Sequence, residues 1–504
     1  MADFRPDTFF LQQAIDRGLA AIDARLDRAE GCRPFFMVRL GESPELQHDI
    51  WDFGDMCGRY VDAFIQARQA TGSTLYQPSE AALNGLLPRC DPYLEPFMAG
   101  RMLIAYVSLF LRDRTTESRQ RVRDLVTVIR SHLTFERDFA YYFKAPEGWT
   151  STTAPVFGSF LPYPTYPIGG IILALARYLD DADDPDSANL LDKLTTFVLH
   201  ESGTFAPDGS YLGHTHSGGI LTAAAGIFRR AIHMNDQSTI HFMTCVLDWT
   251  LAHCSTWGWV PDGLGSPDPS GETCSLADAL HCILLAARHV DPSYYSVAER
   301  FARNQLIENQ YRLPDRALPK GDFPNRDAVA RALDGSWASW SLPNSLDNGL
   351  DSVEGCCLGA GINACCMVLE HAIERTSEAV RVNMAFSRDS EWAEIVSFLP
   401  YQGRIDVLMR IDADLHVRAP HAGAEITRTG HPSTFSVTQE GYLEIAQAKQ
   451  GERISISFPL ITREADETVA GQSYRVRWRG DTVTGISPAG SRYPLFEREW
   501  METH

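Results

Sequence analysis

Two short clusters concentrate the reactive side chains of this chain: Glu272-Thr273-Cys274 and, far downstream, the pair Cys356-Cys357. Together they offer three thiols and a carboxylate, a donor set that suits one tetrahedral zinc ion. On an extended segment residues two apart point to the same side, so Glu272 and Cys274 can meet one centre. Cys356 and Cys357 follow Gly355 and precede Leu358-Gly359-Ala360-Gly361, a flexible loop opening a helix whose N-terminus favours thiolate. Adjacent cysteines do not bridge to each other without strain. The plain alternative is four unrelated side chains: cysteine packs as a small hydrophobe, Glu272 is an acid at a helix start, and Cys365-Cys366 forms a second pair in a helical, apolar stretch. Spacing alone does not separate the two readings.

The elements that must position these residues are helical up to about Glu374. Apolar residues at three-and-four spacing mark Phe9 to Leu26, Asp49 to Gln69, Phe97 to Leu111, Glu117 to Leu133, Ile168 to Leu179, Ser187 to Leu199, Gly218 to Ile232, Thr239 to Cys254, Leu276 to His289, Val297 to Gln310 and Gly361 to Ile373. Such a succession of antiparallel helices fits six helical hairpins closed into an (α/α)6 toroid better than an open bundle. Long loops at Tyr141 to Tyr166, Ser202 to Ser217, Ser255 to Ser275 and Leu313 to Gly355 carry aromatics and acids, and loops of that length in a compact domain are usually functional. After Ser377 the pattern turns to alternation, as in Val380 to Met384, Ala393 to Phe398, Ile405 to Ile411, Phe435 to Val437, Tyr442 to Ile445, Ile454 to Phe458 and Tyr474 to Trp478. The expected organisation is therefore mainly α with a β domain: a toroid over residues 1–375 and a C-terminal β-sandwich over 376–504.

At 504 residues the chain exceeds the size at which one core keeps growing. A formal charge of -20 argues against a nucleic-acid groove or an anionic membrane surface, and a neutral substrate fits it better. No basic-then-apolar leader and no apolar run of about 20 residues is found, so a cytoplasmic location is expected, with the 11 cysteines as free thiols or metal ligands. A homodimer is left open.

The Glu-Thr-Cys triplet followed by Cys-Cys at the start of the last barrel helix resembles glycoside hydrolase family 127, the zinc-dependent β-L-arabinofuranosidases. The tail Tyr474-Arg475-Val476-Arg477-Trp478-Arg479-Gly480-Asp481-Thr482-Val483, with Pro494-Leu495-Phe496, reads like that family's terminal β domain. The resemblance implies a retaining glycosidase in which Glu272, Cys274, Cys356 and Cys357 hold Zn2+ and the Cys356 thiolate is the nucleophile. It also implies a glutamate as general acid/base where this chain has Thr256. Nearby, Asp262 and Asp268 offer carboxyls, each a shifted acid or an ordinary Pro-Asp turn residue.

Among substrate contacts, His214 in Gly213-His214-Thr215-His216 stands where the family has a sugar-binding histidine, with His216 beside it; a helix-capping or core histidine is the alternative for His214. The segments Phe97 to Arg101 and Tyr166 to Gly170 replace the family's other sugar-binding histidines, so its furanoside specificity is not assured. Trp257, Trp259, Trp337 and Trp340 lie in rim loops, where an aromatic face suits a sugar ring or simply pins the loop. Two rival functions stay open: a metal-free toroid enzyme of the unsaturated-uronide hydrolase or epimerase type, and a non-catalytic carbohydrate-binding protein with a structural zinc.

Overall fold

The computed structural model describes residues 10–90, 96–142, 165–212, 216–264, 270–312 and 317–497. Thirteen α-helices are described: α1 (Phe10–Ala24), α2 (Asp55–Thr71), α3 (Gln77–Leu86), α4 (Pro96–Asp113), α5 (Thr116–His132), α6 (Gly169–Leu179), α7 (Pro185–Thr196), α8 (Ser217–His233), α9 (Gln237–Ala252), α10 (Thr273–His289), α11 (Tyr294–Phe301), α12 (Arg326–Leu333) and α13 (Gly355–Ala372). Six of them, α2, α4, α6, α8, α10 and α13, pack in that order into a closed inner ring, with α13 returning to α2. The others lie outside, α12 against α1 and the rest against ring helices, which is the expected (α/α)6 toroid.

The ring closes tightly because small residues face one another near the first turns of the inner helices. A Cβ added at Gly100 would meet the Gly170 backbone, and one added at Gly169 would overlap the Gly219 carbonyl. Six helix N-termini thus gather at one rim, where their partial positive charges favour anionic groups. The inner helices are apolar around most of their circumference, as helices enclosed on several sides must be. Gly355–Ala372 is apolar and long enough to span a membrane, yet 78% of it is buried inside the protein as the last ring helix.

Two sheets share one apolar core after the toroid. A five-stranded sheet runs in the order Ser436–Val437, Leu443–Ala448, Ala413–Val417, Ala379–Val382, Ile373–Arg375; a six-stranded sheet runs Arg388–Asp389, Ala393–Ser397, Arg404–Met409, Arg453–Ser457, Glu425–Arg428, His431–Ser433. Alternation explains their shared core: Ile405, Val407 and Met409 point inward on one strand, Ile454 and Ile456 on its antiparallel neighbour. A third sheet, Thr462–Val469, Gln472–Arg479 and Thr482–Ser487, leaves this core and packs Val476, Trp478 and Val483 onto Trp257 and Trp259 of the toroid rim. The chain's last strands therefore brace the rim loops.

Candidate active site at the toroid rim

Each half of the cysteine cluster is held by a helix start. Glu272 is the extended N-cap of α10 (φ -133°, ψ 140°), and Cys274 sits in the first turn. The helix carrying the cysteine pair begins at Gly355 instead of Gly361, so Cys356 and Cys357 lie in its first turn and not in a preceding loop. Strand Ser352–Glu354 leads into it, paired with Met37–Arg39. Buried Arg25 donates to the carbonyls of Phe36 (3.1 Å) and Val353 (3.1 Å), fixing that entry. Glycine at 355 lets this turn pack closely, since a Cβ there would overlap the Tyr60 hydroxyl and the Met56 sulfur.

The four side chains named from sequence converge. Their ligand atoms all lie within 4.8 Å of one another and all four residues are buried. Cys274 Sγ is 3.6 Å from Cys357 Sγ, and Cys356 Sγ is 4.0 Å from Cys357 Sγ. Glu272 Oε1 lies 3.7 Å from Cys356 Sγ and 3.3 Å from Cys357 Sγ. A tetrahedron with Zn–S of about 2.3 Å and Zn–O of about 2.1 Å has edges of roughly 3.8 Å between sulfurs and 3.6 Å between sulfur and oxygen. The observed spacings match those edges, so the donor set fits zinc.

The surrounding charge is arranged for thiolate. Arg59 Nη1 donates to Cys274 Sγ at 3.7 Å while its Nε donates to Asp55 at 2.7 Å. Hydrogen bonds from the two neighbouring thiols, then Arg59 and Arg101, hold Cys274 well below the ordinary thiol range against burial, so among the protein's own groups the negative charge settles there. His216 lies beside Glu272, Nε2 to Oε2 at 2.9 Å, and Asp262 Oδ1 is 3.0 Å from its Nδ1. Burial works against the imidazolium, but Asp262 and Glu272 outweigh it and raise His216; burial raises Glu272. Gly218 N–H donates to His216 Nδ1 at 3.2 Å, so this side chain also caps α8.

Several sequence expectations need correction. Trp257 and Trp337 are 0% exposed, and Trp259 is buried with them. Their indole N–H groups donate to the carbonyls of Pro343, Leu306 and Ser341, so they pin loops and present no face to a sugar. Trp340 alone of the four is half-buried at the site. Thr256 is exposed, and its backbone N–H and hydroxyl are taken by the Glu467 carboxylate at 2.7 and 2.5 Å, so its position serves to anchor the third sheet. Asp262 reaches the site, but as the partner of His216. His214 and Asp268 lie outside the described residues.

Sequence reasoning missed Glu354. Its Oε1 accepts from Trp340 Nε1 at 3.1 Å, and its Oε2 is 3.7 Å from Cys356 Sγ. Burial raises this carboxyl above the usual range, with the Trp340 indole opposing. The signal was present: Glu354-Gly355-Cys356 repeats the Glu-x-Cys spacing of Glu272-Thr273-Cys274. Also missed was an aromatic wall in which Phe97 stacks on Tyr166 (4.9 Å, 3°) and Tyr166 lies 5.1 Å from the His216 ring. Short bridges such as Pro261 with Gly271 and Gly271 with Ser341 lace the rim loops around these groups.

Neither a protein-family model nor a curated protein sequence matches this chain. Its fold does have solved counterparts. A family 127 β-arabinofuranosidase superposes with a TM-score of 0.62 at 11% identity, over 95% of this chain and 81% of that one. A family 127 β-L-arabinofuranosidase from Geobacillus stearothermophilus T6 gives 0.55 at 14% identity, over 94% and 80%. A third structure, described as a glycoside hydrolase, gives 0.58 at 11%, over 85% and 77%. The chain has the fold of the family 127 enzymes, toroid and β domain together.

Proposed function

We propose that this protein is a retaining glycoside hydrolase, similar to the β-L-arabinofuranosidases, that cleaves small oligosaccharides with the Cys356 thiolate as nucleophile. The observation that carries the reading is the convergence of Glu272, Cys274, Cys356 and Cys357 within 4.8 Å at the rim of a toroid whose solved counterparts are glycosidases. A zinc ion held by these four residues supplies the Lewis acidity that keeps thiolate populated at neutral pH.

The chain's own groups divide the work. Cys356 sulfur attacks the anomeric carbon as the bond to the leaving oxygen breaks, and a carboxyl gives that oxygen its proton. Glu354 is the side chain best placed to do so, being within 3.7 Å of the nucleophile and held by Trp340. In the second step Glu354 takes a proton from water, whose oxygen attacks the same carbon and frees Cys356; two inversions retain configuration. His216, paired with Asp262, fixes the Glu272 carboxylate from behind. Eleven free thiols support a reducing, cytoplasmic setting.

The test is hydrolysis of an aryl glycoside panel that includes β-L-arabinofuranosides, followed by proton NMR of the anomer released. The reading expects a retained product and no turnover by Cys356→Ala. An unchanged rate in that variant, or an inverted product, overturns it. A second reading, a non-catalytic carbohydrate-binding protein with structural zinc, draws on the use of position 256 as an anchor; sugar binding without turnover across the panel would favour it.

A further inference from the structure

The toroid interior holds a cavity of about 550 Å3 that the cysteine cluster itself does not line, but whose lining includes Arg59, Arg101, Ala277, Asp278 and Ala360 from the same inner helices. Arg101 is 7% exposed, and its Nε is buried with no hydrogen-bond acceptor. Its nearest carboxylate, Asp55, is 3.9 Å away and already taken by Arg59 at 2.7 Å. Both guanidinium groups lie over the Phe97 ring, Arg59 at 5.7 Å and Arg101 at 4.8 Å from its centroid, and Phe97 continues through Tyr166 to His216 at the cluster. Asp278, an acid of the same lining, accepts from the Thr222 hydroxyl at 2.6 Å. Two buried arginines are thus left with one carboxylate in hydrogen-bond contact. A buried guanidinium nitrogen without an acceptor is costly, and a planar fork of this kind matches a carboxylate bidentately.

From this geometry we infer that Arg101, steadied by Arg59 and Phe97, is the receptor for the carboxylate of a uronic-acid unit, so that the sugar presented to Cys356 is an acidic one. This rests on the glycosidase reading and narrows its substrate class. The formal charge of -20 does not oppose it, because a sugar-sized ligand meets the field of its own pocket and distant surface charges are screened beyond about 10 Å. Arg59 meets the cluster directly through Cys274, whereas Arg101 acts on that thiolate without a hydrogen bond to it.

The experiment is isothermal titration of the zinc-loaded protein with D-glucuronate, D-galacturonate, D-glucose, D-galactose and sodium acetate, with zinc content and melting measured for every variant. At least one uronate is expected to bind about tenfold to a hundredfold tighter than its neutral counterpart, the worth of one charge-assisted bidentate pair, and tighter than acetate. Arg101→Gln should erase that preference. Should this variant lose zinc or fail to fold, Arg101→Lys decides, since it keeps the charge but loses the fork and should bind the uronate several-fold more weakly than wild type. Equal binding of acid and neutral sugars, acetate binding as tight as uronate, or a preference that survives both variants would overturn the inference. Uronate binding as expected with no glycoside cleaved would sink the glycosidase reading while leaving the pocket standing. Cleavage of neutral glycosides unaffected by Arg101→Gln would do the reverse.

Discussion

Replacing Glu354 by Gln separates proton transfer from everything else the residue does. The amide oxygen can still accept from Trp340 Nε1, now 3.1 Å from Oε1, so the local fold keeps its hydrogen bond. Cys356 loses only a 3.7 Å contact and keeps its neighbours Cys357 and Glu272. What disappears is a carboxyl able to give and retake a proton, worth about 100-fold to 10,000-fold in rate, or roughly 3–5 kcal/mol of barrier at 1.36 kcal/mol per decade. The loss should be full for alkyl or oligosaccharide substrates, whose leaving oxygens need the proton. It should be much smaller in the first step for nitrophenyl glycosides, whose leaving groups depart as anions, so a burst of nitrophenol ahead of slow turnover is expected. Stopped-flow release of nitrophenol, run beside steady-state hydrolysis and zinc analysis, reads all three. Equal losses on both substrate types, or loss of zinc with activity, would refute the proton-transfer role and make Glu354 a structural support.

Trp337→Ala should act on stability and not on substrate affinity: a fully buried indole bonded to Leu306 O at 2.8 Å costs about 3–5 kcal/mol to truncate, seen as a lower urea midpoint with KM of the folded fraction unchanged. Acid should weaken the toroid. Burial, with Arg229 and other cations adding, lowers His371 to about 4 and His281 to about 3, below the ordinary 6.5. The unfolded chain therefore takes up protons first, and stability present above pH 6.5 is lost as pH falls toward 4, by at most about 2 kcal/mol per histidine at pH 5. Urea midpoints at pH 7 and 5 check this, and a His371→Gln, His281→Gln double variant should lose less than wild type.

The ring helices were legible because each is long and carries an apolar stripe that must be buried. Gln77–Leu86 and Arg326–Leu333 escaped notice because they are short and sit inside stretches punctuated by Gly, Pro and Asn. Among the strands, Ile405 to Met409 announces itself by alternation, whereas Thr462–Val469 is half charged and largely exposed, and only its pairing with Gln472–Arg479 makes it a strand. In the site, residue type and spacing carried Glu272, Cys274, Cys356 and Cys357, since few other arrangements use three thiols and an acid. Tryptophan in a long loop carried no such information: Trp257 is buried by the third sheet, and nothing local shows that a distant hairpin will fold over it. Arg59, Arg101 and Phe97 come from two inner helices, and only closure of the ring brings them near the cysteines.

The most direct test of the central claim is zinc analysis of the purified protein combined with X-ray absorption at the zinc edge. The account predicts about one zinc per chain with three sulfur ligands and one light-atom ligand, and loss of that signal in Cys357→Ala and Glu272→Ala. A folded protein without zinc, or zinc whose sulfur count is unchanged when Cys274 and Cys357 are replaced, would contradict it.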